Sequence, residues 1–195
     1  MARSVAPRGS ARGRVIDAAL TLFADHGVSG TSLQMIADHL GVSKASVYYQ
    51  FHSKDDIVFA VVRPLYAEIE QLIGTVEALP AGWRRRDAAV AGLVELAVRH
   101  RRVTAIFYRD PAVDNLVSSD GECDAINERF KKVLAMADEG VETRVSMSFV
   151  ISGIYGSAMD PVLQDVPDQQ LRDTLLRCVR RLVQPDSSET APARD

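Results

Sequence analysis

Between Leu33 and Phe51 the chain reads LQMIADHLGVSKASVYYQF, and this run constrains the fold more than any other. Leu33, Ile36, Ala37 and Leu40 recur at the spacing of one helix face. Gly41 stops that helix, since glycine enters the left-handed backbone of a helix end without a Cβ clash. Ser43 follows as a good N-cap, its hydroxyl placed to accept from a free backbone N–H. Val42 and Val47 stand at the two positions of a hydrophobic staple. Two helices joined by so short a turn have the shape of a helix-turn-helix. In the second of them Val47 and Phe51 lie one turn apart and face inward toward Leu20, Phe23 and Ile36. Lys44, Ala45, Tyr48 and Tyr49 are left on the outer side.

The rest of the chain is helical in pattern, with almost no strand-like alternation. Residues 1–9 lack an apolar face and read as a flexible basic arm. From about Ser10 to His26 an apolar stripe through Val15, Ile16, Ala19, Leu20 and Phe23 predicts a helix ended by Gly27. Thr31 and Gln34 have capping-box spacing, so Thr31 is expected to open the next helix. Ser53 caps a fourth helix with Asp55 and Asp56 in its first turn, where the helix dipole favours carboxylates. It extends to about Leu79 and contains Pro64, which is expected to kink it. Further helices are predicted over 83–102, over a short stretch ending before Pro111, and over 121–138, 141–160 and 168–183. The expected architecture is all-α with about nine helices: a helix-turn-helix domain over 10–53, a helical domain over 54–184, and a disordered tail over 185–195.

Composition narrows the class. Hydrophobic residues make up 47% and charged residues 25%, the balance of a globular protein. No apolar run reaches the roughly 20 residues that span a bilayer, and the first residues lack a signal-peptide core, so a cytoplasmic protein is expected. Cys123 and Cys178 have no metal-ligand spacing and read as buried free thiols. The net charge of −3 argues against a wholly basic surface. Yet residues 1–55 hold six cations, Arg3, Arg8, Arg12, Arg14, Lys44 and Lys54, against four carboxylates, Asp17, Asp25, Asp38 and Asp55. That asymmetry suggests a positive face on an acidic body.

The outer face of the helix after Gly41 suits a nucleic-acid groove. Small residues in its first turn permit close approach to base edges. The hydroxyls of Ser43 and Ser46 can meet phosphate or base, and a tyrosine offers both a hydrogen bond and apolar carbon. An ordinary helical hairpin with exposed tyrosines is the alternative reading of the same pattern.

RGRVIDAALTLFADHGVSGTSLQMIADHLGVSKASVYYQFHSKDDI, residues 12–57, closely resembles the DNA-binding region of the tetracycline-repressor (TetR) family. The matching features are Ala18, Ala19, Leu22, Phe23, Gly27, Thr31, Ile36-Ala37, Gly41-Val42-Ser43, Tyr48, Phe51 and Lys54. Departures are Ala45 where the family often has glycine, Ser46 for threonine, Val47 for leucine and Gln50 for histidine. They bear on which operator is read. The resemblance implies a homodimeric transcriptional regulator, a repressor, that binds a palindromic double-stranded DNA operator and is released by a small effector. It implies that Thr31, Tyr48 and Lys54 hold phosphates while Lys44, Ala45 and Tyr49 face bases. Arg3, Arg8 and Arg12 of the basic arm could add backbone or minor-groove contacts.

In the second half, Gly153, Gly156 and Ser157 in FVISGIYGSAM permit close helix approach, either in the core or between subunits. With the family resemblance the expectation is a dimer contact made by 141–160 and 168–183, with Leu175 and Val179 contributing, as a four-helix bundle across a twofold axis. Phe107, Tyr108, Phe130 and Met136 are the candidate lining of an effector pocket, with Trp83 and His100 weaker candidates, and an apolar effector is expected. No cofactor or metal is expected. His26, His39, His52 and His100 form no HExxH, and neither a nucleophile elbow nor a phosphate-cradling glycine loop is present. An enzyme is therefore not expected; a helical adaptor without a small-molecule ligand is the other reading.

Overall fold

The computed structural model describes residues 9–108, 110–135 and 140–183, and within them the chain forms ten α-helices and no strand. The expected basic arm below residue 9, Met136 and the tail from 185 lie outside the described residues. The helices are α1 (Ala11–Gly30), α2 (Leu33–Leu40), α3 (Lys44–Gln50), α4 (Lys54–Glu77), α5 (Trp83–Arg99), α6 (Arg101–Phe107), α7 (Pro111–Ser119), α8 (Gly121–Ala135), α9 (Val141–Met159) and α10 (Asp168–Val183). Among the described residues none is long and apolar enough to cross a membrane.

Two compact units divide the chain. The first takes residues up to Leu72 with His100–Phe130, and the second takes Ile73–Arg99 with residues beyond Phe130. The helix-turn-helix thus shares a core with α6 and α7, a grouping other than the sequence boundary near residue 53. Its centre is Phe23, Ile36, Val47, Phe51, Ile57 and Val58, all buried, and Phe107 of α6 joins it at 6.0 Å between ring centroids with Phe23. At 0.8 kcal/mol or so per buried methylene, burial of such side chains dominates the stability of the unit.

A polar row ties α4 to the start of α8. Arg63 pairs with Asp120 at 3.1 Å, the Tyr66 hydroxyl donates to Asn127 at 3.0 Å, and Arg129 faces Glu70 at 3.7 Å. Burial pushes the Tyr66 phenol up to about 12, so it remains a hydrogen-bond donor throughout the physiological range. Pro64 lies inside a helix that runs unbroken through it.

The second unit packs α5, α9 and α10 together. Val90, Leu93, Val94 and Val98 of α5, Met147, Val150 and Ile154 of α9, and Leu171, Leu175 and Val179 of α10 are all buried in this unit, whose three helices pack on one another. Arg180 closes a bidentate pair on Asp87 at 2.8 and 3.0 Å, and Arg172 pairs with Glu95. Only one of the two thiols is buried as expected: Cys123 is covered, whereas Cys178 lies exposed on α10. Position 178 falls one residue short of the Leu171–Leu175–Val179 stripe that meets the core, and that rotation leaves it outside.

Candidate nucleic-acid interface

The turn before α3 is built almost entirely from local sequence. Gly41 adopts φ +65°, its N–H donates to Asp38 O at 3.1 Å, and Val42 N–H reaches Ala37 O at 3.0 Å. These two bonds make a Schellman end for α2, which satisfies carbonyls that would otherwise lack partners. Ser43 then caps α3, its Oγ accepting from Ser46 N at 3.2 Å. The expected staple does not close: Val47 is fully buried but Val42 keeps 44% of its surface exposed.

Two side chains from outside the turn fix the far end of α3. Phe51 is 1% exposed, and the Arg12 guanidinium lies 3.9 Å over its ring. Arg12 also donates to Gln50 O at 2.6 Å, placing a cation at the helix C-terminus where the dipole favours it. Arg12 is therefore committed to α3 and is not part of a free basic arm. Beyond it, Ser53 and Asp56 cap α4 reciprocally: Asp56 N donates to Ser53 Oγ at 3.0 Å and Ser53 N to Asp56 Oδ2 at 3.0 Å.

What remains outward is the expected face. Ser43, Lys44, Ala45 and Ser46 are exposed, as are Tyr48 at 52% and Tyr49 at 83%. Tyr48 rests edge-on against His52, with ring centroids 5.0 Å apart. His52 and Gln50, which carried no role in the sequence reading, thus act locally: one orients Tyr48 and the other lends its carbonyl to Arg12.

Two expected phosphate contacts are placed differently. Thr31 is 2% exposed and does not cap α2; its hydroxyl lies 2.9 Å from Gly27 O and 3.2 Å from Leu22 O, a buried donor holding the end of α1. Ser32 is the cap instead, accepting from Met35 N at 3.2 Å, and Gln34 turns to Asp38 at 2.7 Å. Adjacent hydroxyls competed for one cap, and Thr31 lost because its position faces the interior. Lys54 is half-buried, its Nζ donating to Val28 O at 2.5 Å and Ser29 O at 3.3 Å. Asp110 completes this junction from α7. Its Oδ1 caps that helix, accepting from Ala112 N at 2.9 Å, while Oδ2 accepts from Val28 N at 3.3 Å. The Asp-Pro pair at 110–111 signals such a helix start, but nothing local announces its reach to Val28.

The candidate effector residues that are described differ in burial. Phe107 belongs to the core around Phe23, while Tyr108 and Phe130 are half-buried. Trp83 is half-exposed, and His100 faces Glu68 at 3.1 Å. None of these lines the apolar cavity of about 350 Å³ between α9 and α10. That groove instead gathers four of the five residues expected at a subunit contact, Gly153, Ser157, Leu175 and Val179. Leu175 and Val179 form its buried floor. Gly156, the fifth, is exposed, and a Cβ built on it or on Gly153 meets no atom within 4 Å. Among the described residues no group of three His, Cys, Asp or Glu side chains is placed to hold a metal.

A buried three-helix core that turns a short third helix outward is a helix-turn-helix head of the DNA-binding kind. The sequence model described as bacterial regulatory proteins, tetR family, matches residues 15–61, the segment from α1 into α4. That match is confined to the head of the chain. It is 30% identical over 112 residues to the HTH-type transcriptional repressor KstR2 of Mycolicibacterium smegmatis, a match covering 53% of this chain and 50% of the relative. It is 38% identical over 60 residues to the biofilm operon negative regulator IcaR of Staphylococcus aureus, covering 31% of this chain and 32% of that one. The chain thus spans half or less of the length of these curated relatives. The solved structure of the ketosteroid transcriptional regulator KstR2 of Mycobacterium tuberculosis shares the fold over 93% of this chain and 97% of its own, with a TM-score of 0.68 at 18% identity.

Proposed function

We propose that the chain is a transcriptional repressor that binds a palindromic operator as a homodimer through α3 and is released by a small apolar effector. The observation that carries the reading is the outward face of α3, with Lys44, Ala45, Tyr48 and Tyr49 exposed on a helix anchored by fully buried Val47 and Phe51. A helix held so rigidly and yet exposed on one side fits a major groove. Lys44 and Tyr49 face base edges, and Ser32 at the N-terminus of α2 with Tyr48 supplies backbone contacts. The names of the two curated relatives, a repressor and a negative regulator, favour repression over activation.

The subunit contact is proposed on α9 and α10. Val141, Val145 and Phe149 are exposed at 73%, 62% and 67%, and they continue through Gly153 and Gly156 as one stripe along α9. Apolar carbon left in water at i, i+4 spacing is favourable to cover, and the open space at both glycines receives a partner helix. Repression by this dimer takes place in the cytoplasm, where DNA is. The effector is proposed from the resemblance to the tetracycline-repressor family.

Binding-site selection from random duplexes, followed by footprinting of the recovered site, tests the reading. The expected site is a palindrome whose half-sites lie about one helical turn, ~34 Å, apart or a multiple of it. With about six phosphate contacts per dimer, affinity is expected to fall on the order of 1,000-fold between 50 and 200 mM salt. Recovery of no preferred sequence, or affinity indifferent to salt, contradicts it.

A further inference from the structure

The outward surface of α3 is short of the groups that read bases by hydrogen bonds. In the major groove guanine is read by Arg or Lys, adenine by Asn or Gln, cytosine by a carboxylate, and thymine by apolar contact with its methyl group. The helix KASVYYQ holds no Arg, Asn, Asp or Glu. Its one Gln, Gln50, is half-buried at the last position of the helix, away from the exposed first turn. The serine hydroxyls are already engaged with one another. Ser43 Oγ and Ser46 Oγ lie 2.8 Å apart, and Ser43 Oγ accepts from Ser46 N as well. Lys44 is the single cation of the helix. What the surface offers in quantity is carbon: Val42 at 44% exposure, exposed Ala45, and the Tyr49 ring at 83%. Ala45 and Tyr49 lie one helical turn apart and form one apolar strip, and Val42 stands exposed in the turn just before the helix.

We infer that this strip reads thymine methyl groups, with Val42, Ala45 and Tyr49 as the specificity-determining residues and Lys44 as the one hydrogen-bonding reader in each subunit. The inference rests on the proposal that α3 enters a major groove, and it adds which base chemistry is recognised there. Thymine is the base that presents an apolar group in that groove, and the carbon strip has no other base feature to complement it. The open staple acquires a role on this account. Val42 is left uncovered by Val47, and it extends the strip past the N-terminus of the helix.

Uracil differs from thymine only by the methyl group, so it isolates this contact. After site selection with the full chain, each thymine of the recovered duplex is replaced in turn by deoxyuridine and the Kd measured. At the contacted thymines the expected loss is about fourfold each, corresponding to the ~0.8 kcal/mol of one buried methyl-sized group. Ala45→Gly and Tyr49→Ala should each bring the thymine-to-uracil ratio toward one at their own position and leave it elsewhere. That ratio is insensitive to any general weakening of the variants. Replacing guanine by 7-deazaguanine, which removes the N7 acceptor, should affect at most the position met by Lys44. Unchanged Kd at every uracil position overturns the inference while leaving operator binding intact. A uracil effect that persists at all positions in both variants places the methyl contact off the strip and overturns it too. Failure of selection to recover any site overturns the operator proposal, and this inference with it.

Discussion

Gly156→Trp is expected to turn a dimer into a folded monomer that has lost operator affinity by at least about 100-fold. The magnitude follows from avidity. One half-site contact holds the second subunit at high effective concentration near the other half-site, and that gain, roughly 10² to 10⁴, vanishes in a monomer. The fold should tolerate the change because Gly156 is exposed and a Cβ there meets no atom within 4 Å. Tryptophan is also a better helix former than glycine, by a few tenths of a kcal/mol. The indole therefore obstructs a partner without disturbing its own unit. Sedimentation velocity gives the mass, circular dichroism gives the helix content, and a gel shift on the selected palindrome gives the affinity. A variant that remains dimeric counts against the α9–α10 contact.

Phe51→Ala is expected to destabilise the head by about 3–5 kcal/mol, the usual range for emptying a buried phenylalanine site. The ring is 1% exposed, sits in the core with Phe23 and Val47, and carries the Arg12 guanidinium on its face. Its loss removes the far anchor of α3 and the surface on which Arg12 is placed. Since whole domains are stable by only about 5–15 kcal/mol, much of the folded head should be lost at 37 °C, and operator binding with it. Tyr49→Ala is the control. Its side chain is 83% exposed, so stability should change by less than about 0.5 kcal/mol. Urea denaturation of the two variants makes the comparison, and a cost below about 1 kcal/mol for Phe51→Ala would mean that α3 is not docked through this ring.

Local chemistry made the α2–α3 turn legible. Gly41, Ser43 and the Val47–Phe51 pair each act within one helical turn of their own position, and the structure holds all of them where the sequence places them. Ser53 and the carboxylates after it behave the same way, with Asp56 completing the cap. Features decided over long sequence distances were not legible. Thr31 looks like a cap until the carbonyl of Leu22, nine residues back, takes its hydroxyl. Asp110 reaches Val28 across 82 residues, and no pattern near either one signals the contact. Phe107 has the composition of a pocket residue, yet it packs on Phe23 because α6 lies against α1. Pattern alone ends a helix before Pro111, whereas Asp110 caps α7 there and makes the proline its first residue.

The same contrast separates the two halves of the functional reading. Recognition is carried by a short contiguous surface, so its residue types and their spacing are visible in the sequence. Regulation by an effector depends on cavities formed between distant helices. Composition alone does not place such cavities, and only composition marks Phe107, Tyr108, Phe130 and Met136. The strip of exposed carbon on α9 lies between these cases. The sequence over 141–160 is apolar on most sides, and which side of α9 meets α5 and α10 is decided by packing.

Operator binding by the outer face of α3 depends on Lys44 and Tyr49 together. Its most direct test is the affinity of the Lys44→Ala/Tyr49→Ala double variant for the selected palindrome, measured by fluorescence anisotropy beside the parent chain at one salt concentration. Both positions are exposed, so the variant should keep the parent's helix content and oligomeric state. A loss on the order of 100-fold is expected, from two contacts worth roughly 1–3 kcal/mol each. A folded double variant that binds the palindrome as tightly as the parent would contradict it.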